Sequence, residues 1–179
     1  MKFLIASDLH GSGYYCRLLL DKFSEEGADH LILLGDIYYH GPRNPLPAEY
    51  NPQKVAGLLN GIVDRLTVIK GNCDSDVDTL VSDFDFVPSV QLVVDGARLF
   101  LTHGDKYDKD NLPKNAVDAL IYGHYHVGFI EKRGSLVIAN PGSAALPKDG
   151  RPSYLLLDGR KLYLKDFKGN VVDFAEIGR

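Results

Sequence analysis

The chain opens on the stretch Phe3-Leu4-Ile5-Ala6-Ser7-Asp8-Leu9-His10, in which four apolar residues run almost directly into a carboxylate and an imidazole. A continuous apolar run of this length is typical of a strand in a parallel sheet, which is buried on both faces. Ligands of open α/β sheets gather at the carboxyl ends of such strands. The stretch therefore predicts a central strand that delivers Asp8 and His10 to a functional site.

Four further apolar runs lead into polar side chains in the same way. The runs span residues 31–34, 66–69, 99–102 and 119–122, and the side chains that follow them are Asp36, Asn72, His103, His124 and His126. Because these seven oxygen and nitrogen donors include no thiolate and exceed the needs of one tetrahedral ion, they favour two divalent ions that share a carboxylate. Mixed imidazole and carboxylate ligation fits manganese, iron, zinc, cobalt or nickel.

Each of these motifs is weak evidence by itself. Asp-x-His is common in turns, Gly-Asp is common at the start of a loop, and Asn-Cys-Asp could be an Asx turn. The pair His124-Tyr125-His126 is stronger, because period-two spacing in an extended segment directs both imidazoles to one side. It is their joint occurrence at five predicted strand ends that favours a metal centre.

The composition narrows the class of protein. The chain has 179 residues, 45% hydrophobic and 25% charged, which is typical of a single globular domain, here residues 1–179. No apolar run approaches the ~18 residues of a membrane span, and the first strand meets Asp8 too soon for a signal peptide. Two cysteines form no disulfide framework, so we expect a cytoplasmic protein with no membrane partner. A net charge of −4 without a basic cluster argues against a nucleic-acid partner.

The order of apolar patterns predicts an α/β domain. Strands and helices alternate in the first half, with one helix over residues 14–26 and a second that begins at Pro52, so we expect parallel crossovers. Turn signatures at residues 95–96, 158–160 and 168–170 predict an antiparallel meander in the second half. Two packed sheets with helices outside follow from this order. The loops 38–52 and 105–115 should lie over the strand ends.

The five motifs, in this order, resemble those of the calcineurin-like metallophosphoesterases. They are Asp8-Leu9-His10, Gly35-Asp36, Gly71-Asn72-Cys73-Asp74, Thr102-His103-Gly104 and Gly123-His124-Tyr125-His126. The stretches 40–44 and 140–143, with Asn-Cys-Asp, resemble the small bacterial phosphodiesterases of the YfcE type. The resemblance implies the metallophosphoesterase fold, a four-layer αββα sandwich with two mixed β-sheets.

The resemblance also implies a role for each motif residue. Asp8, His10, Asp36 and His126 would bind the first ion, and Asp36, Asn72, His103 and His124 the second, with Asp36 bridging. We expect manganese, with zinc, iron, cobalt or nickel as alternatives. A hydroxide shared by the two ions would attack a small-molecule or nucleotide phosphodiester, with Asn72, Cys73 and His103 in the catalytic set. Related proteins form homo-oligomers, so a dimer or tetramer is implied.

Several alternatives stay open. Many members of the superfamily carry histidine where this chain has Cys73, which either donates a proton to the leaving group or only packs. Arg43 either holds phosphate oxygens or is tied to its own loop. The same fold also serves phosphomonoesterases and a non-catalytic, protein-binding subunit of retromer, so these functions compete with the phosphodiesterase hypothesis.

Overall fold

The computed structural model describes residues 1–178, and in that range the chain forms twelve strands, two α-helices and two short 3-10 helices. The strands are, in chain order, β1 (Lys2–Ala6), β2 (His30–Leu33), β3 (Leu66–Ile69), β4 (Phe86–Val87), β5 (Val90–Val94), β6 (Ala97–Thr102), β7 (Ala119–Tyr122), β8 (Gly128–Arg133), β9 (Leu136–Pro141), β10 (Ser153–Asp158), β11 (Lys161–Asp166) and β12 (Val171–Glu176). The helices are α1 (Gly13–Glu25) and α2 (Pro52–Asn60), and the 3-10 helices are Val63–Arg65 and Asp76–Leu80.

The strands form two mixed sheets, which confirms the predicted fold class. The first sheet has the order β12-β11-β10-β1-β2-β3-β4, and the second has the order β5-β6-β7-β9-β8. β1 to β4 run parallel, while β10 pairs antiparallel with β1. In the second sheet β6, β7 and β9 run parallel between two antiparallel edge strands. The predicted meander is therefore divided: β10 to β12 extend the first sheet, and β5 and β6 belong to the second.

The first strand is uniformly apolar because both of its faces are buried. Phe3 and Ile5 belong to the core between the two sheets, whereas Leu4 and Ala6 face the helices on the other side. Side chains of a strand alternate between its faces, so a strand covered on both sides needs apolar residues at every position. The two sheets and the helical layer thus follow directly from the pattern of the opening stretch.

Both helices are capped and lie on the outer face of the first sheet. Ser12 Oγ accepts a hydrogen bond from the backbone N–H of Tyr15 at 3.2 Å, and Asn51 Oδ1 accepts one from Lys54 N–H at 3.0 Å. These side chains satisfy amide groups that the first helical turn leaves unpaired. Pro52 opens α2 as expected, and the helix ends at Asn60, directly before Gly61.

The outer face of the second sheet is covered by a loop. Phe100, Leu120, Tyr122 and Ile138 form an apolar cluster there, against which Tyr107 packs. Within residues 1–178 no α-helix covers this face, since the segment after β6 is rich in charged residues, Asn and Pro and lacks helical periodicity. The fourth layer of the sandwich is thus an irregular segment.

Three strands were not predicted from the sequence. β4 has only two residues, and β8 is a half-exposed edge strand with a charged end, so neither carries a clear apolar pattern. β9 ends in Asn140-Pro141, which the turn signal of proline obscures. Among the described residues, no helix has the length and apolar character that crossing a membrane requires.

Candidate metal centre

The seven predicted donors meet at one edge of the two sheets. β1, β2 and β3 of the first sheet and β6 and β7 of the second all direct their carboxyl ends to this edge. Asp8, His10, Asp36, His103 and His126 are buried, His124 is half-buried and Asn72 is exposed. The donors therefore line the floor of an open depression, and the Asn72 side of it faces solvent.

Asp8, His10 and His126 form the first group. Asp8 Oδ1 lies 3.2 Å from His126 Nε2 and 3.6 Å from His10 Nε2, and the two Nε2 atoms are 3.2 Å apart. Asp8 Oδ1 is completely buried and has no hydrogen-bond partner among the residues that the structure describes. An orphaned buried carboxylate oxygen is costly unless a cation satisfies it, so this group fits a metal ion.

The second group consists of Asp36, Asn72, His103 and His124. His103 Nε2 lies 2.9 Å from Asn72 Oδ1, 3.2 Å from His124 Nδ1 and 3.5 Å from Asp36 Oδ1. Four donor atoms from four different strand ends thus surround one point. Their mixture of imidazole, amide and carboxylate suits the same divalent ions as the first group.

Asp36 faces both groups with different oxygens. Its Oδ1 is directed to His103, and its Oδ2 lies 3.8 Å from His10 Nε2. A carboxylate shared between two ligand sets can hold two ions close together. This geometry is the one expected of the bridging residue.

Three of the imidazoles are fixed by backbone carbonyls that sequence reasoning did not identify. The Nδ1 atoms of His10, His103 and His126 lie 2.8, 2.7 and 2.7 Å from the carbonyl oxygens of Tyr39, Leu34 and Leu146. A carbonyl only accepts, so each Nδ1 carries a proton, and in the neutral ring Nε2 presents its lone pair to the centre. A cation between His10 and His126 would therefore be met by both Nε2 atoms.

The electrostatics keep Asp8 ionised. Burial by itself raises the pKa of Asp8, but the facing His10 and His126 rings outweigh it and hold the pKa of that carboxyl well below its usual range. Burial also disfavours a charged His10 ring, yet the Asp8 carboxylate raises the pKa of His10 above its ordinary value. Metal ligands must be deprotonated, so an ionised Asp8 is the form that a cation requires.

The backbone at the centre is left-handed. Seven non-glycine residues between 1 and 178 have positive φ, and five of them are donors of the centre: Asp8 (59°), His10 (48°), Asp36 (56°), His124 (65°) and His126 (60°). Such conformations cost free energy and concentrate at functional sites. The expectation of an extended His124-Tyr125-His126 segment was wrong. The left-handed turns bring His124 to the second group and His126 to the first.

Asp74 joins two of the motif loops. Its carboxylate accepts hydrogen bonds from the backbone N–H groups of Asp36, Ile37 and Gly71, each at 2.8 Å. Burial raises the pKa of Asp74 to about 6, against the opposing effect of these N–H groups. Asp74 therefore holds the loop after β2 against the loop after β3. No spacing in the sequence separates this role from that of a simple turn residue.

The motif glycines allow the strand ends to approach each other. A Cβ at Gly123 would lie 1.9 Å from Ser7 Oγ and 2.9 Å from Asp8 Oδ2. Gly123→Ala should therefore displace the first group, lower the metal content and reduce stability by about 1–3 kcal/mol. That loss corresponds to a melting temperature lower by several degrees. Calorimetry and elemental analysis measure the two effects.

Gly57→Ala is the matched control. Gly57 lies inside α2, and a Cβ there would meet no atom within 4 Å. Alanine is the better helix former, so this variant should gain about 0.5–1 kcal/mol and keep its metal. If the two variants have the same melting temperature and the same metal content, the close approach of Gly123 to Asp8 is not needed for stability or for metal binding.

A cleft of about 270 Å³ lies over the donors. Its walls include Arg43 and Cys73, both identified in the sequence, and Lys148, which was not. The backbone N–H of Lys148 donates to His126 O at 2.9 Å, which fixes this residue beside the first group. The predicted loop 38–52 thus does lie over the strand ends. Arg43 and Lys148 give the cleft two cations above a floor of metal donors.

Cys73 has an environment that favours the neutral thiol. Its backbone N–H donates to Asp36 Oδ1 at 2.8 Å, and Asn72 Nδ2 approaches its Sγ at 3.4 Å. Burial first, and then the Asp36 carboxylate, raise the pKa of Cys73 to about 12. A thiol of this kind releases its proton less readily than a free cysteine does.

Comparisons with a family model, a curated sequence and a solved structure each find a phosphoesterase. A model of the calcineurin-like phosphoesterase superfamily domain matches residues 1–161. The chain is 45% identical over 161 residues to phosphodiesterase YfcE of Escherichia coli (strain K12), with 88% of each chain covered. It matches a solved structure of the E. coli phosphoesterase YfcE with a TM-score of 0.95 and 38% identity, covering 99% of this chain and 100% of that one.

A more distant match shows the fold alone. The structure of Vacuolar Protein Sorting 29 from Cryptosporidium parvum has a TM-score of 0.71 and 21% identity, over 99% of this chain and 98% of that chain. The same architecture therefore also occurs in a protein whose name describes sorting, so fold likeness carries no activity by itself.

Proposed function

Because the chain belongs to the calcineurin-like phosphoesterase superfamily, we propose that it is a dinuclear metal-dependent phosphodiesterase acting on a small-molecule or nucleotide phosphodiester. The observation that carries the proposal is the pair of donor groups on either side of Asp36, beneath a cleft with two cations. The relative that is 45% identical is named a phosphodiesterase, which supports the same reaction class.

In the proposed enzyme each ion has its own ligands. Asp8, His10 and His126 would hold the first ion, Asn72, His103 and His124 the second, and Asp36 both. Two bound divalent ions would supply an activated water and neutralise charge on the phosphate oxygens. Manganese remains our proposal among the ions that this donor set accepts.

The protein's own residues would bind and orient the substrate. Arg43 and Lys148 line the cleft and would hold the non-bridging phosphate oxygens, the guanidinium through two hydrogen bonds and the ammonium as a point charge. Carbonyl-anchored imidazoles keep the donor set rigid, so little reorganisation accompanies the reaction.

The test is a comparison of diester and monoester with the same leaving group. Metal-reconstituted protein should hydrolyse bis(4-nitrophenyl) phosphate with a kcat/KM on the order of tenfold or more above that for 4-nitrophenyl phosphate. A faster monoester would favour the phosphomonoesterase alternative. Hydrolysis of neither ester with any of the five metals would favour a non-catalytic, protein-binding scaffold.

The role of Cys73 is a separate prediction. With its pKa raised to about 12, the thiol would give little help to a leaving group, so Cys73→Ser should barely change turnover of an activated diester. Cys73→His should raise turnover selectively for poor leaving groups, where proton donation contributes up to ~10²–10⁴-fold. A leaving-group series with metal content checked in each protein measures this. Parallel slopes for the wild type and both variants would leave Cys73 a packing residue.

The cellular location and the oligomeric state of the enzyme are also proposals. Both cysteines among the described residues, Cys16 and Cys73, are free thiols, which supports a reducing, cytoplasmic location. The proposal that the protein is a homo-oligomer, either a dimer or a tetramer, rests on the resemblance to the superfamily. Light scattering of the purified protein measures the assembly directly.

A further inference from the structure

We propose that a second cleft, between the end of β3 and the segment after β6, binds a nucleoside. This nucleoside is the retained arm of the substrate, the ester group that stays attached to phosphorus after hydrolysis. The proposal rests on the proposed phosphodiesterase function and narrows its substrate to a nucleoside phosphodiester. It assigns a binding role chiefly to Phe86, Lys106 and Tyr107, which none of the five motifs includes.

The second cleft adjoins the metal centre. Its volume is about 480 Å³, against about 270 Å³ for the cleft above the donors, and Asn72 lines both. The two spaces therefore meet at the most exposed donor of the second group. A volume of this size is in the ~300–1,000 Å³ range of small-molecule pockets. A phosphodiester whose phosphoryl group lies at the donors would extend one ester arm into each cleft.

The residues that line the two clefts differ, and this difference indicates which ester arm of the substrate lies in which cleft. The smaller cleft lies directly above the donors and is lined by polar groups, among them Arg43 and Lys148, whereas Phe and Tyr side chains line only the larger cleft. A departing anion and the phosphoryl oxygens match that environment. The larger cleft is left for the retained arm.

Two aromatic side chains make the larger cleft suitable for a nucleobase. Phe86 and Tyr107 both line it, and both are half-buried. The Tyr107 ring is held edge-on against Phe100, with ring centroids 5.5 Å apart and planes at 88°. A base can stack on such rings, and stacking tolerates different bases because each has a π-face.

Polar groups of the cleft suit the sugar and the base edge. Ser89 and Thr102 line the cleft, and among residues 1–178 neither hydroxyl takes part in a side-chain hydrogen bond. Lys70 is engaged by Asp76 at 2.7 Å, whereas Lys106 has no carboxylate within ion-pair distance in residues 1–178. Two free hydroxyls and one free ammonium are groups that bind ribose hydroxyls and base carbonyls.

The test compares two diesters that share a leaving group and differ in the retained arm: uridine 5′-(4-nitrophenyl phosphate) and methyl 4-nitrophenyl phosphate. Wild-type protein should show the lower KM for the uridine ester. Phe86→Leu should raise that KM roughly 5–10-fold, since base stacking is lost, and Lys106→Ala should raise it roughly threefold. Neither variant should change the KM of the methyl ester.

Two matched controls lie outside the cleft. Phe84→Leu alters a ring 5.6 Å from Phe86 in the same apolar cluster, and Lys132→Ala removes an exposed ammonium from β8. Both should leave the KM values of the two esters unchanged. Equal KM values for the two esters in wild type, or equal shifts in cleft and control variants, would overturn the nucleoside subsite.

Binding separates failure of this inference from failure of the function. Uridine 5′-monophosphate added to zinc-loaded protein should shift the backbone amide resonances of Ser89, Lys106 and Tyr107, which methyl phosphate should leave in place. These shifts without hydrolysis of either diester would retain the subsite and reject the phosphodiesterase function. Hydrolysis of both diesters without the shifts would retain the function and reject the subsite.

Discussion

Asp36→Asn should lower diester turnover by well over 100-fold and remove at least one of the two ions. Asp36 is the only carboxylate among the described residues that faces both donor groups, with Oδ1 toward His103 and Oδ2 toward His10. Changing a residue that only orients a ligand typically costs 10–100-fold in metal affinity or activity, so loss of a shared ligand should cost more. The metal content measured by elemental analysis should fall together with kcat/KM.

Asparagine is the informative substitution at this position. Asp36 has φ = 56°, and asparagine adopts this left-handed conformation with little strain, so the variant removes charge while retaining shape. Asp85→Asn, at an exposed position between β3 and β5, is the control and should keep two ions and normal turnover. If Asp36→Asn also keeps both, Asp36 is not the bridge.

Chelation should reduce hydrolysis to the uncatalysed background, and manganese should restore it. Asp8 Oδ1 is buried without a hydrogen-bond partner among residues 1–178, and the Nε2 atoms of His10 and His126 face each other at 3.2 Å beside it, so a cation would complete the centre. Activity is measured with bis(4-nitrophenyl) phosphate before dialysis against chelator, after it, and after metal is returned. Full activity in metal-free protein would exclude the two-metal mechanism.

The same treatment should lower the melting temperature. A ligand present at 100 times its dissociation constant stabilises the native state by about 2.7 kcal/mol, and 1 kcal/mol moves the melting temperature of a chain this size by ~2–4 °C. A fall of roughly 5–10 °C is therefore expected on chelation. Asp36→Asn should show a smaller fall, because less metal is bound at the start.

The sequence predicts the strand ends well and their local geometry poorly. The runs that became β1, β2, β3, β6 and β7 were identifiable because strands buried on both faces leave uninterrupted apolar residues. Convergence of the donors follows from the parallel arrangement of those strands. The left-handed conformations of His124 and His126 do not follow, since spacing alone cannot distinguish an extended segment from two sharp turns.

Residues that act through tertiary contacts were also beyond prediction. Lys148 lies beside the centre, where its backbone N–H donates to His126 O, and Asp74 has its role because two loops distant in sequence meet at its carboxylate. The cleft between β3 and the segment after β6 joins residues from both sheets. No local pattern encodes such contacts, whereas the aspartate and histidine motifs are local.

The division of the donors between two sheets has a consequence for biosynthesis. The first group joins Asp8 and His10 to His126, and β1 acquires its antiparallel neighbour only when β10 pairs with it. During translation the amino-terminal strands must therefore wait for more than a hundred later residues before their donors can close around an ion. Contacts this distant in sequence form late and slow folding. Metal uptake should consequently be among the last events in maturation, and retained metal would report that both sheets have docked.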